Sequence, residues 1–272
     1  MAFPTVATSN SGTNAATTTH TLNLPASVAV GDLLIAMFAT DLAPTFTWPS
    51  GWTELVADNP NGINCKAGAR YRIADGTEGA SISITTDASE ESAYVTLRIT
   101  GHAGAGTPPQ GASVIGNDAD PNPPALTPTG GAKDYLWIES YGLDFDAPAA
   151  TYWSTSYTGI AAPDQGAICC AAAYRQLNAA SENPGVMHGA FADDWVAMTM
   201  AVHPAEILGG RVSRAFHPGR GPSDQARFYK SARSTFIPAA VASGTRPAML
   251  HGIGAGRAGT ILGLHGIEQG HA

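Results

Sequence analysis

The sequence predicts an all-β protein: an antiparallel β-sandwich or jelly roll with an internal pseudo-duplication of about 100 residues, followed by an extended C-terminal arm. Three observations lead there. Short alternating segments separated by Gly and Pro turns fill residues 1–205. Landmarks in the first half recur in the second at nearly constant spacing. Near Ala205 the patterned, acidic body gives way to a basic Gly/Pro/Arg-rich stretch with no periodicity.

The elements follow in order. Asp32 to Thr40 (DLLIAMFAT) is apolar at every second and every intervening position, the mark of a central strand covered on both faces. Asn61-Gly62 and Asp75-Gly76 sit between apolar runs and suit tight reversals. Between them, Ala69 to Ala74 (ARYRIA) reads as a strand. Ser81 to Thr85 (SISIT) and Tyr94 to Thr100 (YVTLRIT) alternate as half-buried strands do, with Val95, Leu97 and Ile99 on one face. Gly101 to Gly131 is turn-rich and connects the halves, with one short strand at Ala112 to Ile115. Lys133 to Tyr141 (KDYLWIESY) opens the second half as another central strand. Ala171 to Ala180 has good helix propensity, yet its repeat equivalent is a strand, so a strand is expected there too.

The duplication rests on five matches. Asp32-Leu33-Leu34 recurs as Asp134-Tyr135-Leu136, Trp48 as Trp153, and Tyr71-Arg72 as Tyr174-Arg175. Tyr94 recurs as Trp195 and His102 as His203. Pseudo-repeats of about 1–102 and 112–205 result. One sandwich formed by both halves is favoured because closure protects strand edges. Two small sandwiches in tandem would satisfy the same pattern.

Charge separates the two parts of the chain. Residues 1–205 hold 6 Lys and Arg against 19 Asp and Glu, a net of −13, whereas residues 206–272 hold 8 against 3, a net of +5. The overall charge of −8 argues against a duplex nucleic-acid binder, which needs a dense basic face. Residues 1–10 (MAFPTVATSN) lack a basic region followed by an apolar one, and no apolar run is long enough to span a membrane. Synthesis in a cytoplasm without a secretion address is the expectation. Cys65 stands alone, and Cys169 and Cys170 are neighbours that rarely bridge each other, so all three are expected as reduced core residues. Strand alternation turns one of Cys169 and Cys170 inward.

Candidate chemistry is sparse. Gly254-Ala255-Gly256-Arg257-Ala258-Gly259 spells a dinucleotide fingerprint, but no buried strand precedes it and no acidic residue follows at the required distance. Glu90-Glu91 and Asp193-Asp194 resemble the carboxylate pairs of glycosidases, although repeat-equivalent pairs at strand mouths read better as solvated turns. Asp118-Ala119-Asp120-Pro121-Asn122 has the alternation of a calcium loop, with Pro123 where the turn requires Gly. The eight histidines show no zinc spacing, and no nucleophile elbow occurs. The sequence therefore assigns no catalytic residue, no cofactor and no metal. Trp48, Trp52, Trp137, Tyr152, Trp153 and Tyr157 read mainly as core, while the turn Trp48-Pro49-Ser50-Gly51-Trp52 leaves Trp48 and Trp52 as candidate glycan contacts.

The runs Gly31 to Ala36, Thr47 to Leu55 and Ala69 to Gly76 together resemble a β-sandwich domain of tailed-bacteriophage and prophage structural proteins. The likeness covers most of the body. Phe216-His217-Pro218-Gly219-Arg220-Gly221-Pro222 and Ala226-Arg227-Phe228-Tyr229 resemble the extended C-terminal segments of such proteins. The resemblance implies a non-enzymatic virion protein, assembled in the bacterial cytoplasm. A capsid decoration or head-spike base protein is the leading expectation, with a tail or tail-fibre component or a glycan-binding receptor module as alternatives. Its partners would be other virion proteins and further copies of itself, with a host surface glycan for the receptor alternative, and neither a membrane nor a specific nucleic acid. The arm, 206–272, would dock through Arg211, Arg214, Arg220, Arg227, Lys230 and Arg233 on carboxylates, and through Phe216, Phe228, Tyr229, Phe236 and Ile237 in pockets.

Overall fold

The computed structural model describes residues 2–144, 153–188 and 192–206. The arm assigned to 206–272 lies outside these residues except for Glu206. The described residues form the all-β sandwich the sequence predicts, with twelve strands and no helix. The first sheet holds β1 (Thr5–Asn23), β2 (Leu33–Asp41), β3 (Phe46–Thr47), β4 (Thr53–Asn61), β5 (Cys65–Ile73) and β6 (Ser81–Thr100). The second holds β7 (Gln110–Gly116), β8 (Lys133–Asp144), β9 (Thr158–Ala161), β10 (Asp164–Gln165), β11 (Ile168–Ala179) and β12 (Trp195–Val202). Each sheet is built wholly from one half of the body.

The duplication is visible in the strand order. The first sheet runs β1-β6-β2-β5-β4, and the second runs β7-β12-β8-β11-β10 when read from its β7 edge. All these pairings are antiparallel. Leu33 pairs with Ile73 and Ile99, and Leu136 pairs with Gln176 and Val202, so each partner moves by the same 103 positions. That corrects the sequence matches, which set Leu34 on Leu136 and Tyr94 on Trp195. Leu34 lies on the outer face of its sheet and Leu136 between the sheets. A one-residue slip exchanges the two faces of a strand, and identity matching alone does not see faces.

Three apolar layers result. Between the sheets, Leu33, Ile35, Met37, Val95, Leu97 and Ile99 meet Leu136, Ile138, Cys170, Val196, Met198 and Met200. Outside the first sheet, Leu34, Phe38 and Tyr94 are covered by Leu22, Ile82, Ile84 and Phe46. Outside the second, Tyr141, Leu143 and Cys169 pack with Met187 and Trp195. Central strands covered on both faces must be apolar throughout, which accounts for the continuous runs in β2, β8 and β12. Two expectations change for this reason. Tyr94 to Ile99 is nearly all buried rather than half-buried, and both Cys169 and Cys170 are buried, on opposite faces. The turns at Asn61-Gly62 and Asp75-Gly76 form as expected, with Gly62 at φ 59 and Gly76 at φ 91.

The sheets approach closely at Gly142. A Cβ there would lie 2.7 Å from the Ala39 Cβ and 3.0 Å from the Ala67 Cβ, and neither of those atoms can swing away. Ala39 and Gly142 are themselves repeat equivalents, so the pseudo-two-fold passes between them. Gly142→Ala is expected to cost about 1–3 kcal/mol of stability through overpacking. Ala39→Gly in the same chain should recover most of that loss in denaturant melts. Strictly additive effects would show that this pair does not set the sheet separation.

Candidate functional site

One carboxylate of each pair, Glu91 and Asp194, ties the two halves together. Glu91 Oε2 accepts a hydrogen bond from the Ala167 N–H at 3.2 Å. Asp194 Oδ1 accepts one from Asn61 Nδ2 at 3.1 Å, and its Oδ2 accepts another from Asn64 Nδ2. Glu91 and Asp194 are repeat equivalents, as are Asn64 and Ala167. Each half thus fastens the strand reversal of the other. The solvated-turn reading is corrected for Glu91 and Asp194, because a carboxylate bonded across two sheets is a structural tie. Glu90 is partly desolvated and lies near Asp41, which holds its carboxyl above the ordinary range.

A second constellation escaped the sequence reading. Glu139 points outward from the centre of β8, flanked by Ala173 on β11 and Thr199 on β12, whose small side chains leave room for it. It is 0 % exposed. Its Oε1 accepts the Ser154 N–H at 3.0 Å, and its Oε2 has no hydrogen-bond partner. Nearby, Arg175 Nη2 pairs with Glu182 Oε2 at 2.8 Å, and the Tyr157 hydroxyl donates to Glu182 Oε1 at 3.4 Å. The Arg175 guanidinium also lies 5.3 Å from the centre of the Tyr157 ring. Burial pushes the Glu139 carboxyl up to about 7, with Glu182 adding repulsion and Ser154 opposing both. In this cluster Glu139 is fully buried and Glu182 nearly so. Its sequence signal is Glu139 itself, one carboxylate inside an apolar strand.

The candidate glycan contacts lie on the outer face of the first sheet. Trp48 is half-buried, stacks edge-on against Phe38 at 6.1 Å and donates from Nε1 to Asp58 Oδ1 at 3.2 Å. The Arg70 guanidinium sits 5.1 Å from its ring centre and is paired with Asp58 at 2.9 Å and Glu54 at 3.2 Å. Burial raises the Asp58 carboxyl despite Arg70. Trp52 packs half-buried on the same cluster. Both indoles are therefore engaged with protein, and the structure brings them to one patch. Trp137 and Tyr157 are core residues, Trp153 is half-buried, and Tyr152 lies outside the described residues.

The remaining motifs are structural where they are described. Asp118 Oδ1 accepts from Trp195 Nε1 at 3.2 Å and from the Asp120 N–H at 3.0 Å, while Asp120 pairs with His188 at 2.6 Å. Among the described residues no three metal-binding side chains converge. His102 bonds the Gly31 carbonyl at 2.9 Å, and His203 stacks on Tyr135 at 5.0 Å, so both brace strand ends. Arg211, Arg214, Phe216, Arg220, Arg227, Phe228, Tyr229, Lys230, Arg233, Phe236 and Ile237 lie outside the described residues, as does the glycine motif at 254–259. No described helix is long and apolar enough to cross a membrane. Comparison with protein-family models, curated proteins and solved structures finds no match to the chain.

The raised Glu139 carboxyl has a definite consequence for stability. The folded state holds this proton more tightly than the unfolded chain, so the burden on folding is absent below the ordinary Glu range and grows as pH rises through 7. Glu139→Gln should match the wild type near pH 4 and exceed it by roughly 2–3 kcal/mol near pH 8, read from denaturant melts. Equal stability of the two proteins at both pH values would contradict the assignment.

Proposed function

We propose that the chain is a non-enzymatic structural protein of a tailed-phage virion, in particular a capsid decoration or head-spike base protein attached through residues 206–272. The observation that carries this reading is the division of charge. A net of −13 on the sandwich precedes a net of +5 on a stretch rich in Gly, Pro and Arg. Guanidinium groups every few residues suit carboxylates repeated over a symmetric lattice, where several weak contacts act together. The body supports the same reading. Its prominent carboxylates, Glu91 and Asp194, tie one sheet to the other, and Glu139 and Glu182 are enclosed. What such a body offers a partner is a stable, acidic, soluble block.

Co-sedimentation tests the proposal directly. Full-length chain and a version ending at Glu206 are mixed separately with purified capsids and purified tails of a candidate phage. Saturable capsid binding by the full-length chain, lost on truncation and weakened steeply by salt, is the expected outcome. Binding to tails alone would move the protein to the tail. Equal binding by both versions would overturn the anchoring role of 206–272.

A further inference from the structure

The outer face of the first sheet is covered by a ribbon made from the far half of β1 and the near half of β6, whose Leu22, Ile82 and Ile84 pack on Leu34, Phe38 and Tyr94. Asn14 pairs with Ser92 before the ribbon begins, and Thr19 to Asn23 pair with Thr85 to Ser81 within it. At the bend between them, Thr86 to Ser89 stand opposite Thr18 alone. His20 lies just past this bend, fully buried, with its ring 5.2 Å from that of Phe38. The far end of the ribbon is tied separately. There the Asn23 N–H bonds the Tyr94 hydroxyl at 3.2 Å, and Thr96 Oγ1 donates to the Asn23 carbonyl at 2.8 Å.

A chain of hydrogen bonds runs through the His20 ring and crosses the bend. The Thr21 N–H donates to Asn14 Oδ1 at 3.0 Å, and Asn14 Nδ2 donates to Ser92 Oγ at 3.1 Å. Ser92 Oγ lies 2.8 Å from His20 Nδ1. On the other side of the ring, His20 Nε2 lies 3.0 Å from Thr86 Oγ1, which donates to the Ala88 carbonyl at 2.7 Å. Both ends of the chain are fixed, because a main-chain N–H only donates and a carbonyl only accepts. Thr86 has one proton and gives it to Ala88, so it accepts from Nε2–H. Ser92 already accepts from Asn14 and gives its own proton to Nδ1. The direction of the chain therefore selects the neutral imidazole with its hydrogen on Nε2. A second hydrogen, on Nδ1, would meet the Ser92 hydroxyl hydrogen head on. Ser92 would then face two donors, and its own proton would have no acceptor in the chain, a costly mismatch inside a buried network.

We propose that His20 is a proton-operated clasp: protonation at Nδ1 unfastens the ribbon at its bend, over residues 17–22 and 84–90, and bares Phe38 on the outer face of the first sheet. The groups that meet the ring, Ser92 and Thr86 of β6 and Phe38 of β2, are uncharged. The carboxylates near it along β6 are engaged elsewhere, Asp87 with the Thr45 N–H and Glu91 with the Ala167 N–H, while Glu90 lies near Asp41. Beyond Phe38, Lys66 of β5 sits over the Phe46 ring, and Arg70 of β5 pairs with Asp58 of β4 beside Trp48. Burial holds the His20 ring below the ordinary histidine range. The closed ribbon thus binds the proton more weakly than the open one. Closure is unimpaired above the ordinary histidine value and is lost progressively as pH falls below it. The clasp goes beyond the virion reading and does not rest on it.

Hydrogen exchange of the full-length chain, read by mass spectrometry at about pH 7.5 and about pH 5 and corrected for the intrinsic rate, tests the clasp. Amides of residues 17–22 and 84–90 should lose protection roughly tenfold at the lower pH, while those of β8 and β12 keep theirs. His20→Gln offers the same acceptor and donor without a titratable ring, and it should remove this pH dependence. Unchanged protection in the ribbon, a loss spread evenly over both sheets, or the same loss in His20→Gln overturns the proposal. Imidazole nitrogen NMR of the wild type covers the case in which the variant does not fold. It should show Nε2 protonated and Nδ1 bare at the higher pH, with the ring titrating below the ordinary histidine value in step with exchange of the ribbon. The opposite tautomer, or a ring that titrates while ribbon exchange stays constant, contradicts the clasp.

Discussion

Ala39 and Gly142 hold the same place in their respective sheets and face one another across the middle of the sandwich. The absence of a side chain at Gly142 lets the two backbones come together there, and the larger residues around that point then interdigitate instead of clashing. Met37, Val95, Met198 and Met200 are all fully buried in this layer. Because the contact lies on the pseudo-two-fold, it constrains both halves equally. The reciprocal ties from Glu91 to Ala167 and from Asp194 to Asn64 follow from the same symmetry, since each sheet brings its carboxylate to the other's strand reversal. Neither sheet has its own inner layer without the other.

That arrangement also determines what the body can present to the outside. Both sheets are covered on their outer faces, one by the Leu22, Ile82 and Ile84 ribbon and the other by Trp153, Tyr157 and Met187. The charged groups with the most perturbed surroundings serve the interior. Glu139 is buried against the Ser154 N–H with its carboxyl pushed up by burial, and Arg70 joins Asp58 and Glu54 beside Trp48. Loss of symmetry between β4 and its broken counterpart, β9 and β10, is where the duplicated fold departs from itself.

Much of the fold was legible in the sequence because β-sandwich patterning is local. SISIT alternates in burial as its letters do, and the Gly at each tight turn takes the positive φ that only Gly adopts cheaply. The both-face burial of YVTLRIT was not legible, because the ribbon that covers it comes from residues 19–23 and 81–86, and coverage is a long-range property. β1 itself, rich in Thr, Ser and Asn, lacks the apolar alternation that marks a strand. The repeat was detectable, yet its register was read one or two residues short at β2 and β6, since identities do not report faces. The role of Glu91 and Asp194 depended on reversals supplied by the opposite half. Glu139 was visible as an oddity within an apolar run, but its partners Ser154, Arg175 and Glu182 come from three other places in the chain.

If the inter-sheet layer is the common support of both halves, they must unfold together. Scanning calorimetry of the whole chain measures this most directly, by comparing the calorimetric enthalpy of the body's transition with the van't Hoff enthalpy. One transition with equal enthalpies is the predicted result. Two separable transitions, each with the enthalpy of about half a body, would mean that each sheet stands on its own and that the layer between Ala39 and Gly142 is not what the structure depends on.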